Sequence, residues 1–323
     1  MDNITHSLTG LALARAGLNR TAPHATALLI ISANAPDVDA VSMLKSQLTY
    51  LEIHRGYAHS LIGLPVMALL SVLIVAAIFR RSLPWMRAWL LCCLGVLSHL
   101  LLDWTNSYGI RLFLPFSSRW VHLDWNNLYD GYILAILLFA AVWPLFARLV
   151  SSEIGDRAPQ GRGIAVFALG FFLLFDAARG VLHSRAVAEL QARLYNGETP
   201  LKAAALPQAF NPLRWTAIVE TPGSYRVSEL NALEQFDPEL AQKFYKPDDR
   251  PSYEAAKQLE PFRYFLYFSR FPLWSDVPVT IGPQPGVRVE LTDLRFGIPG
   301  AGFHSVALEN ERGQVLRAWF TLR

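Results

Sequence analysis

Ser98-His99-Leu100-Leu101-Leu102-Asp103 closes an apolar run that begins near Trp85. On a helix, residues four apart share a face about one turn apart, so His99 and Asp103 present an imidazole and a carboxylate side by side. One helix can offer two ligands to a metal ion in this way. Taken alone, the same pattern also describes a core histidine paired with a carboxylate. The company it keeps favours ligation: His6, Asp37, Asp39, His54, His59 and Asp124 all lie at the ends of apolar segments. Ionisable groups in such places are costly unless they are used.

The 323 residues are 52% hydrophobic and only 17% charged, against about a quarter charged in soluble domains, so part of the chain is expected in lipid. The net charge of +3 comes without a basic-aromatic stripe, and no nucleic-acid partner is expected. Cys92 and Cys93 are adjacent and would point apart on a helix, so they form no ordinary bridge. Met1-Asp2-Asn3-Ile4-Thr5-His6 has neither a basic region nor a small-residue cleavage site. The chain is therefore expected to be held by its own spans.

Residues 4–17 and 24–35 are short apolar segments, below the roughly 20 residues a helical crossing needs, and read as a re-entrant hairpin or a pair of short spans. Pro36 then breaks the helix and places Asp37 and Asp39 on a loop. Spans follow at 59–79, 85–103, 128–146 and 163–182. Arginines at 80, 81 and 87, and at 148, 157 and 162, put the two intervening loops in the cytoplasm. Arg111 and Arg119 in the opposite loop weaken that bias. With this topology every candidate ligand from Asp37 to Asp124, and the chain beyond 183, faces outward.

From Leu194 the texture changes to prolines, charges and alternating runs at 214–220, 223–227, 263–268, 287–291 and 315–320, read as antiparallel strands with one wet face. Residues 238–259 read as partly helical. The expected fold is α+β: a multi-span helical membrane domain over 1–190, then a β-rich, sandwich-like soluble domain over 194–323 on the periplasmic side of a bacterial inner membrane.

Imidazole and carboxylate donors without cysteine suit Zn, with Mn the alternative, and argue against a structural zinc knuckle. Eight groups (His6, Asp37, Asp39, His54, His59, His99, Asp103 and Asp124) exceed one tetrahedral site and suit two ions sharing Asp103 or Asp37. Such a pair can activate water and hold both oxygens of a phosphoester displacement. Each group also has a bland reading: His6 as a solvated helix residue, Asp37 and Asp39 as a helix-ending turn, and His122 with Asp124 inside an interfacial aromatic belt, Trp120 to Trp125. His54 and His59, five apart, share no helical face, but the Gly56 break can turn both inward. Asp176 and Arg179, three apart in the last span, read as an ion pair that eases insertion, with Arg179 on a substrate phosphate as the functional alternative. Arg55 and His183 are further candidates.

Four stretches together resemble a family of bacterial inner-membrane proteins described as membrane-bound metal-dependent hydrolases, the YdjM-like family. They are Met1 to Ser7, Pro36-Asp37-Val38-Asp39, His54-Arg55-Gly56-Tyr57-Ala58-His59-Ser60 and Ser98 to Asp103, within roughly the first 130 residues. Asn211-Pro212-Leu213-Arg214-Trp215 resembles the start of the soluble part of longer members. That family is similar, more remotely, to zinc-dependent phospholipase C and S1/P1-type nucleases, helical enzymes with three zinc ions. The resemblance implies His6, Asp37, His59, His99 and Asp103 as ligands. Those enzymes carry a second His-x-x-x-Asp/Glu motif, absent here, which Asp124 would replace in part, and an N-terminal amine ligand, so that Met1 is expected elsewhere.

The function expected is hydrolysis of a lipid or envelope phosphoester by a metal-activated water, with one to three ions and with Asp37, Asp124 and Arg179 assisting. Membrane lipid is the expected partner, and no protein partner is specified. Two alternatives stand beside it: a transporter using Asp176 and Arg179, disfavoured by the few complete spans, and a non-catalytic envelope scaffold with a structural metal.

Overall fold

The computed structural model describes residues 1–154 and 161–322. The chain is α+β, as expected, and divides into two compact units. One comprises Met1–Asp39, Arg55–Ser184 and Pro207–Arg214; the other comprises Ala40–His54, Arg185–Leu206 and Trp215–Arg323.

The first unit is helical. α1 (Asn3–Arg15) starts where the Asp2 carboxylate accepts from the backbone N–H groups of Ile4 and Thr5, satisfying two donors that the first turn leaves open. α2 (Ala25–Asn34) returns against it, and backbone approach is close because Gly10 lacks a side chain: a Cβ there would sit 2.7 Å from the Leu29 carbonyl oxygen. α4 (Gly63–Phe79) and α5 (Trp85–Thr105) follow. α5 presses on α2 through Gly95, where a Cβ would fall 2.0 Å from Ser32 Oγ. Small residues at such crossings let helices in lipid pack by van der Waals contact. Leu28, Leu29, Val72, Val75, Val96 and Leu100 form the core of this group. α6 (Gly131–Ile154), begun by an Asp130 carboxylate that accepts from Tyr132 and Ile133 N–H, packs with α1 and α7 (Arg162–Gln191) around Leu102, Ile133, Leu137 and Phe172.

Among the described residues four helical stretches are long and apolar enough to cross a membrane: Ala25–Leu44, Trp85–Thr105, Gly131–Leu149 and Arg162–Gln191. The structure differs from expectation in detail. Asp37 and Asp39 lie not on a loop but on a 3-10 stretch, Ala35–Leu44, because Pro36 can occupy the first turn of a helical segment without losing a hydrogen bond. The segment expected to span from His59 begins at Gly63, after a separate 3-10 turn at Tyr57–His59, and is not among these four by itself. Arg148, assigned to a connection, continues α6, and Arg157 lies outside the described residues.

The second unit contains α3 (Gln47–Ile53) and two four-stranded sheets in sequential order. The first runs β1 (Lys202–Pro207), β2 (Arg214–Glu220), β3 (Ser224–Asn231) and β4 (Gln242–Tyr245). The second runs β5 (Pro272–Ile281), β6 (Gln284–Asp293), β7 (His304–Asn310) and β8 (Val315–Thr321), all antiparallel, with Trp274 opposite Leu291 and Val289 opposite Ala307. Ile218, Tyr225, Phe271, Leu273 and Leu294 share one core cluster. The run 263–268, expected as a strand, is instead α9 (Glu260–Phe268), preceded by α8 (Pro251–Lys257). Its aromatic residues fit either structure, but Phe262, Phe265 and Phe268 recur every three residues and bury together, and Pro261 suits a first turn.

Asp293, fully buried at the end of β6, anchors this unit. Its Oδ2 lies 2.7 Å from Arg295 Nη2 and accepts from Arg270 N, while Oδ1 accepts from Arg295 N. Burial alone would push its carboxyl up, but the Arg295 guanidinium and these hydrogen bonds outweigh it and hold the carboxyl below its ordinary value. A carboxyl depressed on folding contributes stability above its unfolded value, about 3.9, and loses it as pH falls through the folded one. Hydrogen exchange of the full chain is therefore expected to show residues 268–295 opening as the pH drops below that value. Asp293→Asn is expected to cost on the order of 3 kcal/mol at neutral pH and to flatten the dependence; an unchanged acid slope in the variant would refute the assignment.

Candidate metal centre

Four side chains from three segments converge in the helical unit. His99 and Asp103 come from the last turns of α5, Asp37 from the 3-10 stretch after α2, and His59 from the short turn before α4. One ligand atom from each lies within 4.8 Å of every other. His59, His99 and Asp103 are fully buried, and Asp37 is 13% exposed.

The ring nitrogens are oriented from behind. His99 Nδ1 is 2.7 Å from the Ala33 carbonyl oxygen, an acceptor only, so Nδ1 carries the proton and Nε2 a lone pair. His59 Nδ1 is 3.1 Å from Asp39 Oδ2, which puts a carboxylate behind that ring. The two Nε2 atoms then face each other at 3.1 Å. Asp103 Oδ2 stands 3.5 Å from both, and Asp37 Oδ1 stands 3.4 Å from His59 Nε2 and 3.7 Å from His99 Nε2. Asp103 Oδ2 has no hydrogen-bond partner among the described residues. Two ring nitrogens and two carboxylate oxygens pointed into one buried space are a donor set that a cation lying among them would satisfy.

Around this set stands a second ring of contacts. Asp103 Oδ1 accepts from the Met1 amine, from Arg55 Nη2 at 3.1 Å and from Asn106 Nδ2 at 3.3 Å. Met1, expected away from the site, is thus buried against it. Arg55 takes a left-handed φ of 57°, donates its own N–H to Asp39 Oδ2 at 3.1 Å, and sends Nη1 to Asn106 Oδ1 at 3.0 Å and the Gly109 carbonyl at 3.3 Å. Asn3 Nδ2 donates to Asp37 Oδ2 at 2.9 Å. His6 is fully buried, its ring stacked on His99 with centroids 3.8 Å apart and Nε2 3.4 Å from Asp103 Oδ1. Neither of its ring nitrogens has a hydrogen-bond partner among the described residues.

The remaining candidates sit differently. His54 ends α3, its ring 4.4 Å from that of Tyr50. Asp124, also at a left-handed φ of 57°, has its Oδ2 3.2 Å from His122 Nδ1 and is not among the four converging groups. Asp176 Oδ1 accepts from Asn126 Nδ2 at 2.7 Å, and Arg179 Nε donates to the Trp125 carbonyl at 2.8 Å. His183 is half-buried on α7. The supporting roles of Asn3, Asn106 and the Ala33 carbonyl were not foreseen; Asn3 and Asn106 lie beside the quoted motifs, whereas nothing in a sequence marks a carbonyl as an orienting group.

The profile of the family described as "YdjM inner membrane protein" matches residues 1–186. The chain is 33% identical over 154 residues to the "Uncharacterized protein YfhP" of Bacillus subtilis (strain 168), covering 44% of this chain and 46% of that protein. It is 37% identical over 101 residues to the "Inner membrane protein YbcI" of Escherichia coli (strain K12), covering 30% of this chain and 57% of that one. The chain thus spans about half the length of the curated relatives it matches. No solved structure matches it.

Proposed function

Because the chain belongs to the YdjM inner membrane protein family and is a membrane protein, we propose that it is a membrane-bound, metal-dependent hydrolase of a phosphoester in a lipid or envelope molecule. The observation that carries the reading is the pair of facing Nε2 atoms of His59 and His99 with Asp37 and Asp103 beside them. Two imidazoles and two carboxylates suit one Zn or Mn ion.

His59 and His99 would hold the ion through Nε2, and Asp37 and Asp103 through one carboxylate oxygen each. When bound, such an ion supplies a Lewis acid and lowers the pKa of water to near neutrality. The chain's own residues then have separable duties. Asp39 and the Ala33 carbonyl stand behind the two imidazoles and aim them. Arg55 and Asn106 fix the Asp103 carboxylate. Asp37, the most exposed of the four, is the group that can pass a proton to solvent. Asp124, beside His122, and Arg179, on the Trp125 carbonyl, take no step in this reading. Further parts of the proposal are a periplasmic site, from the arginine-rich loops, and kinship with phospholipase C and S1/P1 nucleases, from the order His6, Asp37, His59, His99, Asp103.

The test is release of phosphate monoester from a chromogenic phosphodiester and from phospholipid vesicles by the purified full chain, with added Zn or Mn and after chelation. Ion-dependent release that disappears in Asp103→Ala is expected. Metal-loaded wild-type protein that releases nothing from either would remove the hydrolase reading while leaving the metal centre standing.

A further inference from the structure

On the side of α5 away from the metal centre, a cleft of about 610 Å³ runs between α1, α5 and α7. His99 and Asp103 face one way; Leu94, Leu97, Leu101 and Thr105 line the cleft on the other, as a period of 3.6 residues requires. From Leu94 to Thr105 the helix rises about 16 Å. That is one leaflet of a hydrocarbon core about 30 Å thick. Both walls, α5 and α7, are long and apolar enough to cross a membrane, so the cleft opens onto acyl chains rather than water.

The cleft is graded along its length. Leu13, Leu94 and Leu169 line it toward the start of α5, and Thr105, Trp125 and Asp176 line it toward the helix's end. That polar end is built. Trp125 packs so tightly on α7 that a Cβ on Gly180 would lie 2.9 Å from its ring. Asn126 Nδ2 bonds both Thr105 Oγ1, at 3.1 Å, and Asp176 Oδ1, at 2.7 Å. Asp176 lines this end of the cleft, while Arg179, one turn further along α7, donates Nε to the Trp125 carbonyl at 2.8 Å.

We propose that this cleft is a binding site for one acyl chain of a membrane phospholipid whose headgroup is cationic at its tip, of the phosphatidylethanolamine class, with the ammonium donating to Asp176. A chain one leaflet long fills the apolar part, the tryptophan marks the headgroup level, and the Asp176 carboxylate, on the cleft wall, selects an ammonium over a glycerol headgroup. The site is separate from the metal centre and does not depend on that reading.

The full chain is reconstituted into vesicles of equimolar phosphatidylethanolamine and phosphatidylglycerol, extracted in mild detergent, and its retained lipid counted by native mass spectrometry. One lipid per chain is expected, with phosphatidylethanolamine favoured about tenfold, the worth of one hydrogen bond to a charged group. Ala177→Phe, which puts a ring into the cleft, is expected to abolish retention. Asp176→Asn is expected to keep a lipid but lose the preference. The proposal is overturned if the wild type retains no lipid, if it retains both headgroups equally, or if Ala177→Phe leaves retention unchanged. It is equally overturned if cross-links from residue 101 or 173 capture a second copy of the chain in place of lipid.

Discussion

Replacing His99 by alanine is expected to strip the protein of its divalent ion: from about one per chain to none after dialysis, with affinity weakened ~100-fold or more. Loss of an outer-shell partner alone typically costs 10–100-fold, and His99 is placed as a direct ligand. Its Nε2 is one of four donor atoms within 4.8 Å of one another, and its Nδ1 is committed to the Ala33 carbonyl. To take over, His6, stacked on the His99 ring, would have to cross the space the ring vacates. Elemental analysis of wild type and variant, with circular dichroism to show that helicity is kept, measures this. Asp176→Asn, on the far side of α5, is the control expected to retain its ion. A His99→Ala protein that holds as much metal as wild type would contradict the assignment.

The second large effect is expected at Arg55. This guanidinium is 3% exposed and ties together Asp103, Asn106 and the Gly109 carbonyl, while its backbone N–H holds the Asp39 carboxylate that orients His59. Arg55→Leu removes the buried guanidinium from Asp103 Oδ1 and leaves it only the Met1 amine and Asn106. Breaking a buried pair in this way costs about 3–5 kcal/mol, and the freed carboxylate loses the orientation that aims Oδ2 at the two imidazoles. Arg55→Lys keeps the charge but not the fork, and is expected to recover stability more than metal affinity. Chemical unfolding with and without added ion separates the two contributions. Full recovery of both in Arg55→Lys would mean that the residue acts through charge alone.

The pair His99 and Asp103 was legible because four-residue spacing on an apolar helix has one geometric consequence. Asp37 and His59 were legible as ionisable groups at the ends of apolar runs, although nothing in their spacing said that Nε2 of one imidazole would face Nε2 of another. Arg55 was harder to read, since its role depends on a left-handed backbone at φ 57° that turns the side chain back toward α5. The buried Met1 amine was missed because contacts across 102 residues leave no local pattern. In the second unit β2, β3, β6 and β8 follow the alternating runs. β1 is alanine-rich and β5 carries Pro272 and Pro278, compositions that hide a strand, and the aromatic run of α9 hid a helix.

X-ray absorption at the edge of whatever first-row ion copurifies with the full wild-type chain probes the centre itself. A shell of about four nitrogen and oxygen donors at roughly 2.0–2.2 Å, with the outer-shell scattering of two imidazoles, is predicted. Protein free of metal, or an ion with sulfur neighbours, would contradict the convergence of His59, His99, Asp37 and Asp103 on one cation.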